Sequence, residues 1–247
     1  MKILASYNIK GGVGKTATAV NLAWLAAAEG ARTLIWDLDP QAATSFYFRV
    51  QPRVRGGASP LVQGLTDIDA IVKGTDFDGL DLLPADFSYR NMDLFLGNGR
   101  SPTLQLMRLL RPLAREYDYL IIDCPPSITL VSENVFRAAD AMLVPMIPTT
   151  LSLRTYDQLL AFFNKHQLQQ TTRLMPFFSL LDEQRPLHLK MLDLLPRRYP
   201  EILPAYIPEA NEVERMGIFR APLFAYAAEC HAAECYRRLW ATIKERL

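Results

Sequence analysis

A glycine-rich segment near the start of the chain constrains the fold more than any other feature. It reads KGGVGKT from Lys10 to Thr16. The apolar run at residues 3–7 precedes it and predicts a strand, whereas the alanine-rich stretch at residues 16–29, which stops at Gly30, predicts a helix. Glycines at such a junction let backbone N–H groups converge where the helix begins. The segment therefore predicts a strand–loop–helix unit that is built around an anion.

The rest of the chain repeats this alternation of strand-like and helix-like patterns. Five further short apolar runs predict strands, at residues 33–36, 80–83, 119–122, 141–147 and 174–181. Amphipathic stretches lie between them, and residues 103–116 place leucines at helical spacing. This order is typical of a parallel sheet with helices on both faces. We therefore predict one domain over residues 1–247, an α/β fold with a doubly wound, mostly parallel sheet.

Two other segments have a distinct composition. Residues 49–64, RVQPRVRGGASPLVQG, are rich in glycine, proline and arginine and predict a surface connection, because strand patterns resume on both sides. The C-terminal segment CYRRLWATIKERL carries one apolar stripe, which predicts a helix packed on the domain; a membrane-surface helix is the alternative. The stripe consists of Tyr236, Leu239, Trp240, Ile243 and Leu247.

Composition limits the setting of the protein and the class of its partners. Half of the 247 residues are hydrophobic, and 27 basic residues against 26 acidic ones give a net charge of +1. An anionic partner would therefore need a local basic patch. Cys124, Cys230 and Cys235 form no metal-binding spacing, and an odd count fits a reducing compartment. The longest apolar stretch, AVNLAWLAAA, is about half of a membrane span. We expect a cytoplasmic protein without an integral membrane segment.

The end of the glycine-rich segment has the residues that phosphate binding requires. Lys15 would bridge the outer phosphates of a nucleotide, and the Thr16 hydroxyl would ligate Mg²⁺. An ordinary glycine turn is the alternative, and a Gly-Lys-Thr sequence at the start of a helix argues against it. The segment departs from the generic pattern G-x-x-x-x-G-K-[ST], because Ile9 stands where that pattern has glycine. A second lysine, Lys10, lies five residues before Lys15.

KGGVGKT resembles the deviant Walker A motif of the ParA/MinD family of ATPases. WDLDPQAATS, residues 36–45, is similar to the first switch of that family. YDYLIIDCPPS, residues 117–127, is similar to its Walker B strand and second switch. The resemblance extends from Lys2 to the last helix and is diffuse outside these three segments. It implies a P-loop NTPase fold with a deviant Walker A motif.

The resemblance also implies ATP and Mg²⁺ as cofactors, slow ATP hydrolysis and a homodimer in the ATP-bound state. Lys10 would reach the nucleotide held by the other subunit, and a cation supplied in trans neutralises transition-state charge as an arginine finger does. Asp39 would orient the attacking water, Asp123 would bind Mg²⁺ waters, and Asp37 would support the loop. The implied catalytic residues are Lys10, Lys15 and Asp39, and the implied metal-site residues are Thr16, Asp39 and Asp123. The implied ATP-binding residues of the loop are Lys10, Gly11, Gly12, Val13, Gly14, Lys15, Thr16 and Ala17.

Two later segments match the adenine-binding region of the family. They are FFSLLDEQRPLH, which ends at His188, and YIPEANEVERMG, residues 206–217. By position, Pro208 and Glu209 would flank the base, and Asp182 would lie close to it with Arg185 near the rim. The resemblance thus adds Asp182, Pro208 and Glu209 to the expected ATP-binding residues.

ParA-like members bind DNA without sequence preference as ATP dimers, and a partner protein stimulates hydrolysis. The resemblance therefore implies a nucleoid-associated switch that segregates plasmid or chromosomal DNA or positions a cargo, with a centromere-binding or cargo-adaptor protein as partner. Basic residues of the C-terminal third would contact phosphates; a solvated surface is the alternative for each of them. The predicted DNA contacts are Lys190, Arg197, Arg198, Arg215 and Arg220, with Arg237, Arg238 and Lys244 on the last helix. Because the loop begins within a dozen residues of Met1, we expect no preceding helix-turn-helix domain.

Other functions on the same fold remain alternatives. A MinD-like membrane-associated ATPase, which regulates the spatial organisation of cell division, attaches through an amphipathic helix appended after the fold, and here the last helix has no such extension. Iron–sulfur carriers need paired cysteines. Amide ligases of this fold generally lack the lysine that corresponds to Lys10.

Overall fold

The computed structural model describes residues 1–99 and 101–247. The strands are β1 Lys2–Ser6, β2 Thr33–Asp37, β3 Lys73–Gly74, β4 Leu80–Leu83, β5 Tyr119–Asp123, β6 Ala141–Met146, β7 Arg173–Leu181 and β8 Tyr206–Pro208. They form one sheet in the order β3-β4-β2-β5-β1-β6-β7-β8. Every neighbouring pair is parallel except β3 and β4. The predicted doubly wound, mostly parallel α/β fold is confirmed.

Helices cover both faces of this sheet. They are α1 Lys15–Ala28, α2 Ala43–Tyr47, α3 Ala58–Val62, α4 Met92–Gly97, α5 Gln105–Leu110, α6 Leu130–Ala138, α7 Thr150–Lys165, α8 Pro186–Arg198, α9 Asn211–Glu214, α10 Met216–Phe219 and α11 His231–Arg246. Residues of α1, α10 and α11 pack into one apolar core, and residues of α3 to α8 pack into another. Alternate residues of the central strands contribute to the two cores, because successive side chains of a strand point to opposite faces.

The central strands agree with the sequence prediction to within one residue at most ends. β2 and β6 are buried along their whole length, so they appear in the sequence as continuous apolar runs. The sequence analysis missed β3 and β8, which have two and three residues. Strands of this length carry too little periodicity to be recognised.

Two predicted segments differ from the structure. The helix predicted at residues 103–116 ends early, because Pro112 has no N–H to continue α-helical bonding, and a 3₁₀ turn at Pro112–Arg115 follows α5. Residues 49–64 are not simply a surface connection. They include α3, and they bury Val54 and Leu61 in the core.

The last helix packs on the domain, as its stripe predicts. Tyr236, Leu239, Trp240 and Ile243 are buried, and the Trp240 Nε1–H donates to Glu29 at the end of α1 over 3.0 Å. The stripe is therefore part of the core. Among the helices of the described ranges, we find none that is long and apolar enough to span a bilayer.

Leu239→Ala tests how much α11 contributes to stability. Leu239 is fully buried, so truncation removes apolar contacts and leaves a cavity, and we expect the free energy of unfolding to fall by about 2 to 5 kcal/mol. The control, Leu65→Ala, removes the same atoms from a side chain that is 75% exposed and should change it by at most about 0.5 kcal/mol. Chemical denaturation measures both, and equal effects would contradict a core role for α11.

Candidate functional site

The glycine-rich loop lies where the central parallel strands end. β1 is paired with β5 on one side and β6 on the other, so the loop that follows β1 is flanked by the ends of both. The Asn8 side chain braces it, because Nδ2 donates to the Pro145 carbonyl over 2.8 Å and Oδ1 accepts from the Lys10 N–H over 2.9 Å. Gly12 and Gly14 have φ values of +69° and +89°, which favour glycine.

Gly14 is also constrained by a close neighbour. A Cβ at this position would lie 2.7 Å from the Ser179 Oγ of β7, a distance that real side chains do not tolerate. Ser179 is itself buried. The loop is therefore packed directly against β7, and it adopts a shape that only glycine allows.

The two lysines of the loop have different environments. Lys15 is buried, and its Nζ donates to the Lys10 carbonyl over 3.3 Å. Burial lowers the Lys15 pKa, and the negative charges of Asp123 and Asp39 oppose that shift. Lys10 is half-buried, and its ammonium has no hydrogen bond or ion pair with any residue that the structure describes. Lys15 thus belongs to the interior of the loop, whereas the Lys10 ammonium has no partner among the described residues.

Two carboxylates end neighbouring strands beside the loop. Asp37 of β2 and Asp123 of β5 are in register and fully buried. Thr44 Oγ1 donates to Asp123 Oδ2 over 2.8 Å, whereas the Ser45 N–H and Oγ–H both donate to Asp37 Oδ2 over 2.7 Å. The short helix α2 therefore fixes one oxygen of each carboxylate.

The other oxygen of each carboxylate has no partner. Asp37 Oδ1 and Asp123 Oδ1 are buried and unpaired within residues 1–99 and 101–247. Burial raises the pKa of Asp37, and the nearby charge of Asp123 raises it further. Burial also raises the pKa of Asp123, although the hydroxyls of Thr16 and Thr44 favour its charged form. The site is therefore rich in negative charge that the protein alone does not neutralise.

This arrangement fits a hydrated magnesium ion. Mg²⁺ is usually held by one or two carboxylates together with waters and phosphates, not by a cage of protein ligands. Within the described ranges, no group of three or more His, Cys, Asp or Glu side chains is placed to hold a metal. Asp123 Oδ1 offers an unpaired oxygen, and Thr16 lies in the first turn of α1. Asp39 is half-buried, and its Oδ1 accepts from the Gln41 N–H over 2.9 Å.

The residues predicted around adenine surround one cavity. Asp182, Arg185, Pro208 and Glu209 all line a cavity of about 530 Å³ at the ends of β7 and β8. The Glu209 N–H donates to the Leu181 carbonyl over 2.9 Å, which holds the two chain segments together. Their role in nucleotide binding stays a prediction.

The basic residues predicted to contact DNA lie on or beside helices that pack on both faces of the sheet. α8 carries Lys190, Arg197 and Arg198, and it packs on the face of the sheet that α6 and α7 cover. Arg215 and Arg220 flank α10, which packs on the opposite face. The contact of these residues with DNA stays a prediction.

The basic residues of the last helix are largely neutralised within the chain. Arg237 and Arg238 both form ion pairs with Glu234, and Lys244 pairs with Glu29 over 2.7 Å. Exposed pairs of this kind contribute little to stability, but they reduce the local positive charge. α11 is therefore a poor candidate for a phosphate-binding surface.

Sequence reasoning missed several residues that shape the site. Thr44 and Ser45 follow the D-x-D-P-Q segment without a pattern of their own, and only the fold shows that they bind the two carboxylates. Asn8 likewise gains its role from a carbonyl far away in the chain. Ser179 did carry a signal, since it is a polar residue inside the apolar run FFSLL.

Comparisons with known proteins agree with this geometry. A family model described as an AAA domain matches residues 1–175. The chain is 30% identical over 240 residues to the sporulation initiation inhibitor protein Soj of Bacillus subtilis, and the match covers 95% of each chain. It is 31% identical over 253 residues to the chromosome partitioning protein ParA of Caulobacter vibrioides, with 97% of this chain and 92% of that protein covered.

A solved structure has the same fold. Cobyrinic acid a,c-diamide synthase from Mycobacterium smegmatis, with a bound ATP analogue and magnesium, has a TM-score of 0.83 to this chain at 26% identity. The superposition covers 100% of this chain and 95% of that one.

The paired carboxylates predict a pH-dependent stability in the absence of nucleotide and metal. Because folding raises the pKa of Asp37 above its ordinary value of about 4, the folded state binds more protons than the unfolded state above that pH. We therefore expect the free energy of unfolding to fall as the pH rises from about 4 towards neutrality. Asp37→Asn should flatten this dependence, whereas Asp78→Asn, at an exposed site, should follow the wild type. Denaturant titrations at several pH values measure it, and identical slopes for the Asp37→Asn variant and the wild type would contradict the assignment.

Proposed function

The chain belongs to the ParA/Soj family of ATPases, and from this premise we propose that it is an ATP-dependent dimeric switch. In this proposal it binds and hydrolyses Mg-ATP, dimerises around the nucleotide and binds DNA without sequence preference as the dimer. A centromere-binding or cargo-adaptor protein stimulates hydrolysis. The cycle segregates DNA or positions a cellular cargo on the nucleoid.

The contrast between Lys15 and Lys10 carries this proposal. Lys15 is buried and bonded to its own loop, as a lysine for the nucleotide of the same chain should be. Lys10 has no partner among the described residues, and it stands beside Gly11 and Gly12, which are exposed. A cation in this position is available to the triphosphate of a second copy. Phosphoryl transfer spreads charge over oxygens that one loop does not cover, so a lysine in trans would complete the site.

The other residues have complementary roles in the proposed site. When bound, ATP supplies the phosphoryl group and Mg²⁺ neutralises its charge. The N–H groups from Gly11 to Thr16 bind phosphate oxygens at the start of α1, where the helix dipole favours anions. The Thr16 hydroxyl and Asp123 hold the hydrated metal, and Asp39 orients the attacking water. The cavity at the ends of β7 and β8, which Asp182, Pro208 and Glu209 line, accepts the base.

Among the described residues, no contact at the site favours the membrane-associated or the amide-ligase alternative. A membrane-surface helix needs an exposed apolar stripe, and the stripe of α11 is buried in the core. The diamide synthase of M. smegmatis shares the fold, but fold alone does not determine the reaction. An amide ligase has no need for a lysine that acts on a second subunit, so the Lys10 experiment separates that function from the proposed one.

Lys10→Ala is the main test of the proposal. We expect this variant to retain ATP binding and to lose ATP-dependent dimerisation, and its hydrolysis should fall by about 10³-fold, as on removal of an arginine finger. Lys15→Ala should lose ATP binding itself. Lys165→Ala, at an exposed position on α7, is the matched control and should behave as the wild type. Light scattering and phosphate release are the measurements, and a Lys10→Ala dimer with full turnover would refute the trans-acting role.

Asp39→Ala separates hydrolysis from assembly. Because Asp39 is proposed to orient water and not to hold the phosphates, the variant should still bind ATP and dimerise, whereas turnover should fall by about 10²-fold or more. Size-exclusion chromatography with ATP should show a long-lived dimer. Asp78→Ala serves as the control, and normal hydrolysis by Asp39→Ala would show that the water is positioned by another group.

A further inference from the structure

The segment at residues 49–55, RVQPRVR, lines a groove that the proposed ATP site does not use. One cavity of about 490 Å³ is lined by Arg53, Arg55 and Lys73, and a neighbouring cavity of about 440 Å³ is lined by Arg49 and Arg220. Both cavities share Val50 and Gln51, so they form one continuous depression. We call it the basic groove, defined by Arg49, Arg53, Arg55, Lys73 and Arg220.

Positive charge is concentrated in the basic groove. Its walls include five cationic side chains, and no aspartate or glutamate of the described ranges lines either cavity. Asp76 approaches the groove, but its pair with Arg49 is exposed and long, at 3.4 Å. The whole chain has a net charge of only +1, so this concentration of charge is local. Such a cleft attracts a polyanion, because like charges on facing walls reinforce one another.

Two arginines of the groove also join α2 to α10. Arg49 Nη2 donates to the Phe219 carbonyl over 3.1 Å, and Arg220 Nε donates to the Phe46 carbonyl over 3.1 Å. The Arg220 guanidinium also lies 4.6 Å from the centroid of the Phe46 ring. Two hydrogen bonds, one from the arginine that follows each helix, therefore hold α2 and α10 together.

The groove lies next to the proposed hydrolysis site. Gln41, Ala42 and Phe46 form one wall, and they belong to the segment that carries Asp39 and α2. Five non-glycine residues of the described ranges have a positive φ, and three of them line the groove: Ala42 at +59°, Arg49 at +58° and Arg220 at +48°. Strained backbone of this kind concentrates at functional sites. A ligand in the groove would therefore contact the segment that carries the proposed water-orienting residue Asp39.

We propose that the basic groove binds the phosphate backbone of DNA and is the surface through which the ATP state controls DNA binding. This inference rests on the proposed function and gives its DNA-binding step a location. Phosphates suit the groove because arginine forks match phosphate oxygens and backbone contacts carry no sequence preference. The predicted DNA-binding residue Arg220 belongs to this surface, whereas the three basic residues of α8 do not.

A pair of triple variants tests the location. Arg53→Gln/Arg55→Gln/Lys73→Gln removes three exposed charges that have no side-chain bond among the described residues. Lys190→Gln/Arg197→Gln/Arg198→Gln makes the same change of charge on α8, none of whose residues lines the groove. Retention on random-sequence duplex DNA with ATP is measured from low to high salt, together with binding of a fluorescent ATP analogue.

The groove variant should bind DNA at least tenfold more weakly and with a shallower salt dependence. The slope should fall by about 0.9 for each DNA phosphate that the variant no longer neutralises. It should bind the ATP analogue as the wild type does. The α8 variant should keep the wild-type salt slope. Loss of DNA retention in the α8 variant with an unchanged groove variant would overturn the groove and leave the proposed function standing.

The wild type separates the two proposals further. If the wild type retains no DNA at low salt with ATP, the DNA-binding step of the proposed function fails, and the groove inference fails with it. Polyglutamate serves as a second probe. If the wild type binds polyglutamate but not DNA, and the groove variant binds neither, the groove is a site for an acidic protein and the nucleic-acid inference is overturned.

Discussion

The burial of two like charges at the carboxyl ends of two central strands is the constraint on which the site depends. Asp37 and Asp123 end adjacent strands in register, and each keeps one oxygen without a partner among the described residues. Burial of a carboxylate is costly unless it is paired or hydrogen-bonded. α2 supplies hydroxyl donors to both, and Lys15 lies close enough for its charge to interact with Asp123. A metal ion would supply the positive charge that these groups lack. The two carboxylates therefore favour the binding of a hydrated cation.

α2 connects this charged site to the surface. On its inner side Thr44 and Ser45 bind the carboxylates, and on its outer side Phe46 accepts the Arg220 bond that ties α2 to α10. A helix of five residues has little rigidity of its own, so its position depends on both sets of contacts. A change in the charge of the carboxylate pair therefore bears on the same element as a change at the basic groove. Packed side chains and hydrogen bonds of this kind carry energetic coupling between sites when the element they hold has two arrangements.

Sequence reasoning succeeded where the fold makes local pattern and tertiary environment agree. β2, β5 and β6 are apolar on both faces because helices cover both, and KGGVGKT must contain glycines because its backbone has left-handed φ values. The family resemblance is confirmed by the family model over residues 1–175 and by relatives that cover most of the chain. Sequence reasoning failed where contacts between residues far apart in the sequence determine the structure. The Thr44 and Ser45 bonds, and the separation of Arg198 from Arg215 by the sheet, follow only from the crossover connections.

The net charge of +1 conceals an uneven distribution of charge around the proposed site. The cavity beside β8 is lined by Asp182, Glu183, Glu209 and Glu212, whereas the basic groove has no acidic residue of the described ranges in its lining. Phosphates are repelled by the first surface and attracted by the loop and the groove. In the proposed function this asymmetry orients a nucleotide with its base at the acidic cavity and its phosphates at Lys15. In the proposed function it would also disfavour a DNA backbone at the base-binding end and favour one at the basic groove, beside the segment that carries Asp39 and α2.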